Sequence, residues 1–437
     1  MRDDELVMFL YADLSGVCRG RAFAAADLQE RLRTGVGWVP ADQAVTPLGP
    51  IADPNPWGST GDLRLLPDPD TRVRVDLRDD AAPLHFYLCD AVRTDGVPWD
   101  ACVRDFLKRA LDELDAEGLR LDAAFEQEFH LSDPAAQAAP GFSMEAFRGA
   151  EPFCSQLMRA LALGEQEAET LLPEYGRSQF EVTVRPAPAL PAADRAVMVR
   201  EVVRDVARRV GRRATFTPIV DPADVGNGVH VHYSLRDLSG RQVTYDPERP
   251  AGVSATAASF TAGVLRHLPA LCALTAPSVV SYQRLTPHRW SAAYVCWGER
   301  NREAAVRVAP FLEVAGSDPA ASLNLEYRPA DAAASPHLAL GAIVRAGLEG
   351  LREGLEPPPL VDTDPSELSD DDRARLGVHR LPGSLREALG ALAADEVVRS
   401  WFPPDLLGCY ESMKRTEIDL LADVDVAEAC ERYRRVY

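Results

Sequence analysis

Lysine is almost missing from this chain: Lys108 and Lys414 are the only two, so nearly every cation is an arginine. Positive charge is also in deficit, with 47 Lys+Arg against 67 Asp+Glu and a net charge of −20. That balance argues against nucleic acid or an anionic membrane surface as the partner. No G-x-x-x-x-G-K-[ST] stretch occurs, so a Walker-type loop holds no nucleotide here. No G-x-G-x-x-G follows a strand, and the G-x-S-x-G nucleophile elbow is lacking. Eight cysteines are scattered without a C-x-x-C pair, which fits small buried hydrophobes rather than a zinc or disulfide framework. No apolar run reaches the ~20 residues a membrane-spanning helix needs. The start, Met1 to Glu5, is acidic and lacks the basic and apolar segments of a signal peptide. A cytoplasmic location is therefore expected.

What is present is ordinary globular composition, 46% apolar and 26% charged over 437 residues, enough for two or three domains. Residues 1 to 95 read as short strands separated by turns such as Pro47-Leu48-Gly49-Pro50. Val103, Phe106, Leu107, Ala110, Leu111 and Leu114 then recur at helical spacing, which places a domain boundary near Thr94–Pro98. Further helices are expected around 199–210, 254–274 and 337–351, followed by a helical C-terminal part.

Four segments alternate strictly between apolar and chemically active side chains. Phe125 to Leu131 carries Glu126, Glu128 and His130 on one side, and Phe180 to Val184 carries Glu181. His230, His232 and Ser234 share a side, as do Asn324, Glu326 and Arg328. Alternation across a strand puts residues two apart on the same side, roughly 7 Å from one another. A solvated strand side usually carries Thr, Lys, Gln or Ser. Glutamates converging here would repel one another unless a cation neutralised them. Carboxylates with an imidazole or two suit hard divalent cations, Mg²⁺ or Mn²⁺. A binuclear metallohydrolase is one reading of such a set, although His230 and His232 are the only close histidine pair. Arginine forks around a Trp-rich loop, at Arg284, Arg302 and Arg307, add binding capacity for carboxylate and phosphate. Metal beside arginine points to phosphoryl transfer involving an anionic substrate.

In order along the chain, these segments resemble the motifs of the glutamine synthetase family. They are Phe125–Leu131 (E-x-E-F), Glu174–Glu181 (E-x-G-x-x-Q-x-E) and Gly228–Leu235 (G-M-H-x-H-x-S). Ser281–Pro287 (S-Y-K-R-L-x-P), Trp297–Arg307 (N-R-x-A-x-x-R) and Leu325–Leu338 (I-E-x-R-x-x-D-x-x-x-N-P-x-L) follow. The resemblance implies an α+β protein with an N-terminal β-grasp domain, 1–97, and a catalytic domain, 98–437, built on a curved antiparallel sheet with flanking helices. It implies a homo-oligomer, a hexameric ring or a dodecamer of two rings, with sites between subunits. By position, Glu128, Glu174 and Glu181 match the ligands of one metal, and Glu126, His230 and Glu326 those of a second. His232, Ser234 and Arg307 match the ATP and phosphate side. Arg284, with Gly226 beside it, matches the clamp on the acid substrate. Arg302 and Arg328, with Glu326, match the groups at the transferring phosphoryl and the reacting carboxylate.

The departures carry information as well. Ammonia-using members carry a flap glutamate three residues after the proline of R-L-x-P-G-x-E, and this chain has Trp290 there. Their N-terminal F-D-G-S-S corresponds to Gly37–Gln43, which lacks that pattern. Losing both anionic groups resembles the γ-glutamylamide synthetase branch, which joins glutamate to organic amines. Val225-Gly226-Asn227-Gly228 stands where N-G-S-G is common, and Asn324 replaces a nucleotide-side arginine. The expected activity is thus an ATP-dependent carboxylate–amine ligase using glutamate or a close analogue. An ordinary glutamine synthetase and a non-catalytic sensor of the same fold are the alternatives.

Overall fold

The computed structural model describes residues 5–78, 80–132, 139–311, 314 and 316–437. Near the N-terminus, β1 (Leu6–Ala12) and β2 (Cys18–Ala24) form an antiparallel hairpin. β3 (Val36–Trp38), β4 (Leu63–Pro67), β5 (Val73–Val75) and β6 (Leu84–Arg93) complete one sheet of order β2-β1-β6-β4-β3, with β5 also on β6. β1 and β6 run parallel at its centre. Alternation explains the packing: Val7, Phe9 and Tyr11 are buried while Leu6 and Met8 face outward.

The remaining strands make two sheets. β8 (Gln127–Ser132), β9 (Ala168–Pro173), β10 (Gln179–Val184) and β12 (Arg213–Thr215) form one, in the order β12-β8-β10-β9. The other has the order β11-β7-β13-β16-β15-β14-β17. Its strands are β7 (Leu119–Phe125), β11 (Ala187–Pro188), β13 (Val231–Asp237), β14 (Tyr294–Glu299), β15 (Ala304–Val308), β16 (Leu325–Tyr327) and β17 (His379–Arg380). The segment Phe125–Leu131, expected as a single strand, is divided at Glu126. Phe125 pairs with Val231 of β13, whereas Gln127 pairs with Val182 of β10. One residue therefore changes partners and joins the two sheets, and that residue is a glutamate.

The expected helices form at Val103–Ala116, Ala189–Arg209, Ala255–Thr275 and Pro336–Glu353, with shorter ones toward the C-terminus. Ala255–Thr275, interrupted by Arg266 and His267, is long and apolar enough by length and mean composition alone to cross a bilayer. Its apolar residues instead form core: Phe260, Val264, Leu268 and Leu271 are fully buried. Gly263 and Gly350 allow the close crossing with Pro336–Glu353, since a Cβ on Gly263 would lie 2.1 Å from the Ala346 carbonyl oxygen.

Arg104, at the start of its helix, ties the N-terminal sheet to the helical layer. Its Nε and Nη2 donate to the two oxygens of Asp194, both at 2.8 Å, and it reaches Asp68 at 2.6 Å and Asp90 at 3.1 Å. His337 Nε2 completes the cluster 2.8 Å from Asp194.

Candidate active site

Strand register builds the site. Across the four-stranded sheet Glu181 pairs directly with Glu128, an arrangement of like charges that destabilises a bare sheet. Across the larger sheet His232 pairs with Glu326, and Glu326 with Arg307, so a cation, an anion and a cation stand in one row. Glu126, at the junction, meets both groups. His230 Nδ1 is 3.1 Å from one Glu126 oxygen and His232 Nε2 is 3.1 Å from the other. His230 also lies 3.5 Å from Glu326, whose second oxygen is 2.5 Å from Arg307 Nε. Arg328 pairs with Glu326 as well.

These side chains open into a cavity of about 420 Å³. It is lined by Glu126, Glu128, Glu174, Glu181, His230 and Glu326, by Arg284, Arg302, Arg307 and Arg328, and by Gly226 and Trp290. Every residue expected to hold metal is in it. His232 and Ser234 line an adjoining cavity of about 310 Å³ with Asn324, and Glu126 is common to both. The expected residues thus fall in two cavities that share Glu126, with His232 and Ser234 in the smaller one.

The charges of this region suit a bound cation. Burial, joined by Glu126, Glu128, Glu174 and Glu326, pushes the Glu181 carboxyl up to about 10. Glu174 is raised too, by burial and then by Glu128. Burial works the same way on Glu326, but Arg328 and the two histidines outweigh it and hold that carboxyl at about 2. Burial alone would lower His232; Glu126 more than offsets it and lifts the imidazole to about 9. A divalent cation would relieve the repulsion that Glu181 meets only by keeping a proton. Ligand atoms of Glu126, Glu181 and His230 lie within 4.8 Å of one another, as do those of Glu126, His232 and Glu326. Glu126 belongs to both sets. Glu128 and Glu174 line the cavity outside these two close groups, Glu128 accepting from Gln179 Nε2 at 3.0 Å and from the Gly228 amide at 2.9 Å.

Several residues take places the alternation did not foretell. His130, expected beside Glu126 and Glu128, is buried outside the cavity lining, its Nδ1 3.0 Å from Asn227 Oδ1. Burial lowers it to about 4, so a neutral ring is the state that packs. Arg284 is buried, and its Nη2 donates to the Arg328 carbonyl at 3.1 Å and to that of Ala330. Its Nε has no partner among the described residues. Trp290 stands 52% exposed at the mouth, stacked on Tyr175 with centroids 5.9 Å apart. Tyr175, Phe142 and Gln179 were not singled out from sequence. Of these only Gln179 had a signal, its place inside the E-x-G-x-x-Q-x-E motif.

Comparison with known proteins accords with this geometry. The glutamine synthetase N-terminal domain matches residues 1–99, and the glutamine synthetase catalytic domain matches residues 100–433. The gamma-glutamylpolyamine synthetase GlnA3 of Streptomyces coelicolor is 34% identical over 447 residues, covering 99% of this chain and 93% of that protein. The glutamine synthetase of Pyrococcus furiosus is 32% identical, covering 90% of this chain and 86% of the other. Among solved structures, a novel glutamine synthase homolog superposes with a TM-score of 0.93 at 45% identity, covering 100% of this chain and 99% of that one. A GmaS/ADP complex superposes at 0.83 and 26% identity, covering 98% and 96%.

Proposed function

The chain belongs to the glutamine synthetase family of ATP-dependent ligases, and from the site it carries we propose that it joins glutamate, or a close analogue, to an organic amine rather than to ammonia. The observation that carries this reading is Trp290 at the mouth of a cavity otherwise furnished with the family's carboxylates, histidines and arginines. The similarity to GlnA3 and to GmaS supports it. That all six expected ligands are retained around one cavity favours an enzyme over a sensor.

Glu126, Glu128, Glu174, Glu181, His230 and Glu326 would hold divalent cations, Mg²⁺ or Mn²⁺. Bound there, such cations neutralise charge on phosphate oxygens. The nucleotide is assigned to the cavity of His232 and Ser234, with Arg307, which lines the larger cavity, on its phosphate side. A carboxylate is a poor acylating agent, because oxide is a hopeless leaving group. Transfer of the γ-phosphoryl group forms a carboxylate O–P bond and breaks the bond to ADP. Arg302 and Arg328 stabilise the equatorial oxygens during that transfer. The amine lone pair then attacks the acyl carbon, the C–N bond forms, the C–O bond to phosphate breaks, and the nitrogen's proton leaves to water at the mouth. Arg284 and Gly226 are assigned to the acid's α-carboxylate end. We place the division of the chain at 97/98, and assign it to a homo-oligomer, a hexameric ring or two such rings.

The test is phosphate release from ATP with glutamate, Mg²⁺ and either ammonia or a panel of organic amines at matched pH. A higher kcat/KM for at least one organic amine is expected. Ammonia outperforming every amine would replace this reading with an ordinary glutamine synthetase.

A further inference from the structure

Three large apolar side chains on the rim of the cavity, Phe142, Tyr175 and Trp290, are left 53%, 60% and 52% exposed. Scattered exposed apolar residues need no explanation, but three around one polar cavity form a patch. Two of them sit on backbone that bulky residues avoid, with φ of +58° at Phe142 and +55° at Trp290. The chain holds both there by hydrogen bonds. The Phe142 amide donates to the Pro173 carbonyl at 3.1 Å, and the Trp290 carbonyl accepts from Arg328 at 2.9 Å. Next to Trp290, Arg289 donates to the Pro222 carbonyl at 3.0 Å, pinning the flap. Backbone strain and apolar exposure thus work against stability at the same two positions, the pattern expected where side chains are kept for a ligand.

Charge around the patch narrows the ligand. All five carboxylates that line the cavity are those assigned to the cations: Glu126, Glu128, Glu174, Glu181 and Glu326. The one charged lining residue left without a role in the reaction, Arg289 beside Trp290, is positive. A second ammonium on the substrate would find no unassigned carboxylate among the described lining residues and would meet the positive Arg289.

Building on the amine-ligase reading, we propose that the amine is a monoamine bearing one flat or branched apolar substituent, seated against Tyr175, Trp290 and Phe142, and that diamines and polyamines are rejected. The stacked pair supplies an aromatic wall of the kind that packs arylalkyl groups.

The test compares kcat/KM of the full-length protein for phenethylamine, isobutylamine, putrescine, spermidine and ammonia, with glutamate, ATP and Mg²⁺. Phenethylamine or isobutylamine is expected at least tenfold above putrescine and spermidine. Trp290→Ala and Tyr175→Ala should each collapse the ratio of phenethylamine to ammonia at least fivefold, and Trp290→Phe should restore most of it. If Trp290→Ala does not fold, Tyr175→Ala carries the same comparison. Putrescine or spermidine ahead of both monoamines overturns the substrate class while leaving the amine-ligase reading intact. Ammonia ahead of everything overturns both. Equal losses for all nucleophiles, or a loss of assembly by sedimentation velocity in either alanine variant, would assign the rim to a structural contact and overturn the proposal.

Discussion

His232 is held from both sides: Asn324 Oδ1 lies 2.7 Å from its Nδ1, and Glu126 stands 3.1 Å from its Nε2. Asn324 is itself steadied by donating to the Ser322 carbonyl at 3.0 Å. The ring plane is therefore set jointly by a carboxylate of the cluster and by Asn324, which is not among the cavity's carboxylates or arginines. Removing a group that orients a ligand in this way typically costs 10–100-fold in affinity or activity. Asn324→Ala is expected to lower kcat/KM for ATP roughly tenfold, and Asn324→Asp to retain most of it. Steady-state kinetics with a parallel Mn²⁺ titration check this; unchanged ATP and metal dependence in the alanine variant would remove the assignment.

Glu326→Ala deletes the anion between His232, Arg307 and Arg328 and leaves three cationic or polar groups facing one another. Phosphate release is expected to fall more than about 100-fold, since charge stabilisation of the transferring group is the main catalytic term. The helices distant from the cluster should keep their circular dichroism. Glu128→Ala is expected to act similarly. Chelation followed by desalting into metal-free buffer should abolish wild-type activity, and full activity after that treatment would sink the cation assignment.

Arg104→Ala leaves Asp194 buried beside Asp68 and Asp90 without its bidentate partner. Breaking a buried ion pair from one side costs about 3–5 kcal/mol. A matching drop in the urea midpoint is expected, with kcat/KM of the remaining folded protein little changed. A loss of less than ~1 kcal/mol would mean that the cluster does not hold the N-terminal sheet to the helices.

The same cluster predicts a pH dependence. Burial would raise the Asp194 carboxyl, yet Arg104 and His337 together keep it at about 2. An unfolded aspartate titrates near 3.9. The folded value is the lower one, so its stabilisation is complete above about pH 5 and lost as pH falls toward 2, about 2–3 kcal/mol in all. Unfolding midpoints of wild type and Asp194→Asn should therefore converge as pH drops from 5 to 2.5. A gap that stays constant over that range would argue against the linkage.

Sedimentation velocity should give a species several times the 47.6 kDa of the single chain. An active monomer would count against sites shared between subunits.

The sequence by itself marked the candidate ligands. Glutamate, histidine and arginine at alternate positions of four short segments are chemistry that no solvated strand needs, and the order of the six motifs identified the family. The apolar period likewise marked the four long helices, because burial of one face is a local property of spacing. Tertiary structure alone decided which of these residues meet. The break at Glu126 depends on a change of hydrogen-bonding partner from β13 to β10, which no local pattern encodes. The pairing of Glu181 with Glu128, and of His232 with Glu326, follows from register between strands about 50 and 90 residues apart in the chain. His130 obeys the alternation yet is buried against Asn227, since a strand's side says nothing of how far a cavity extends along it. Tyr175 and Phe142 gave no sign in the sequence, because an aromatic is expected to be core; only the fold shows them turned outward, beside Trp290, at the mouth of the site.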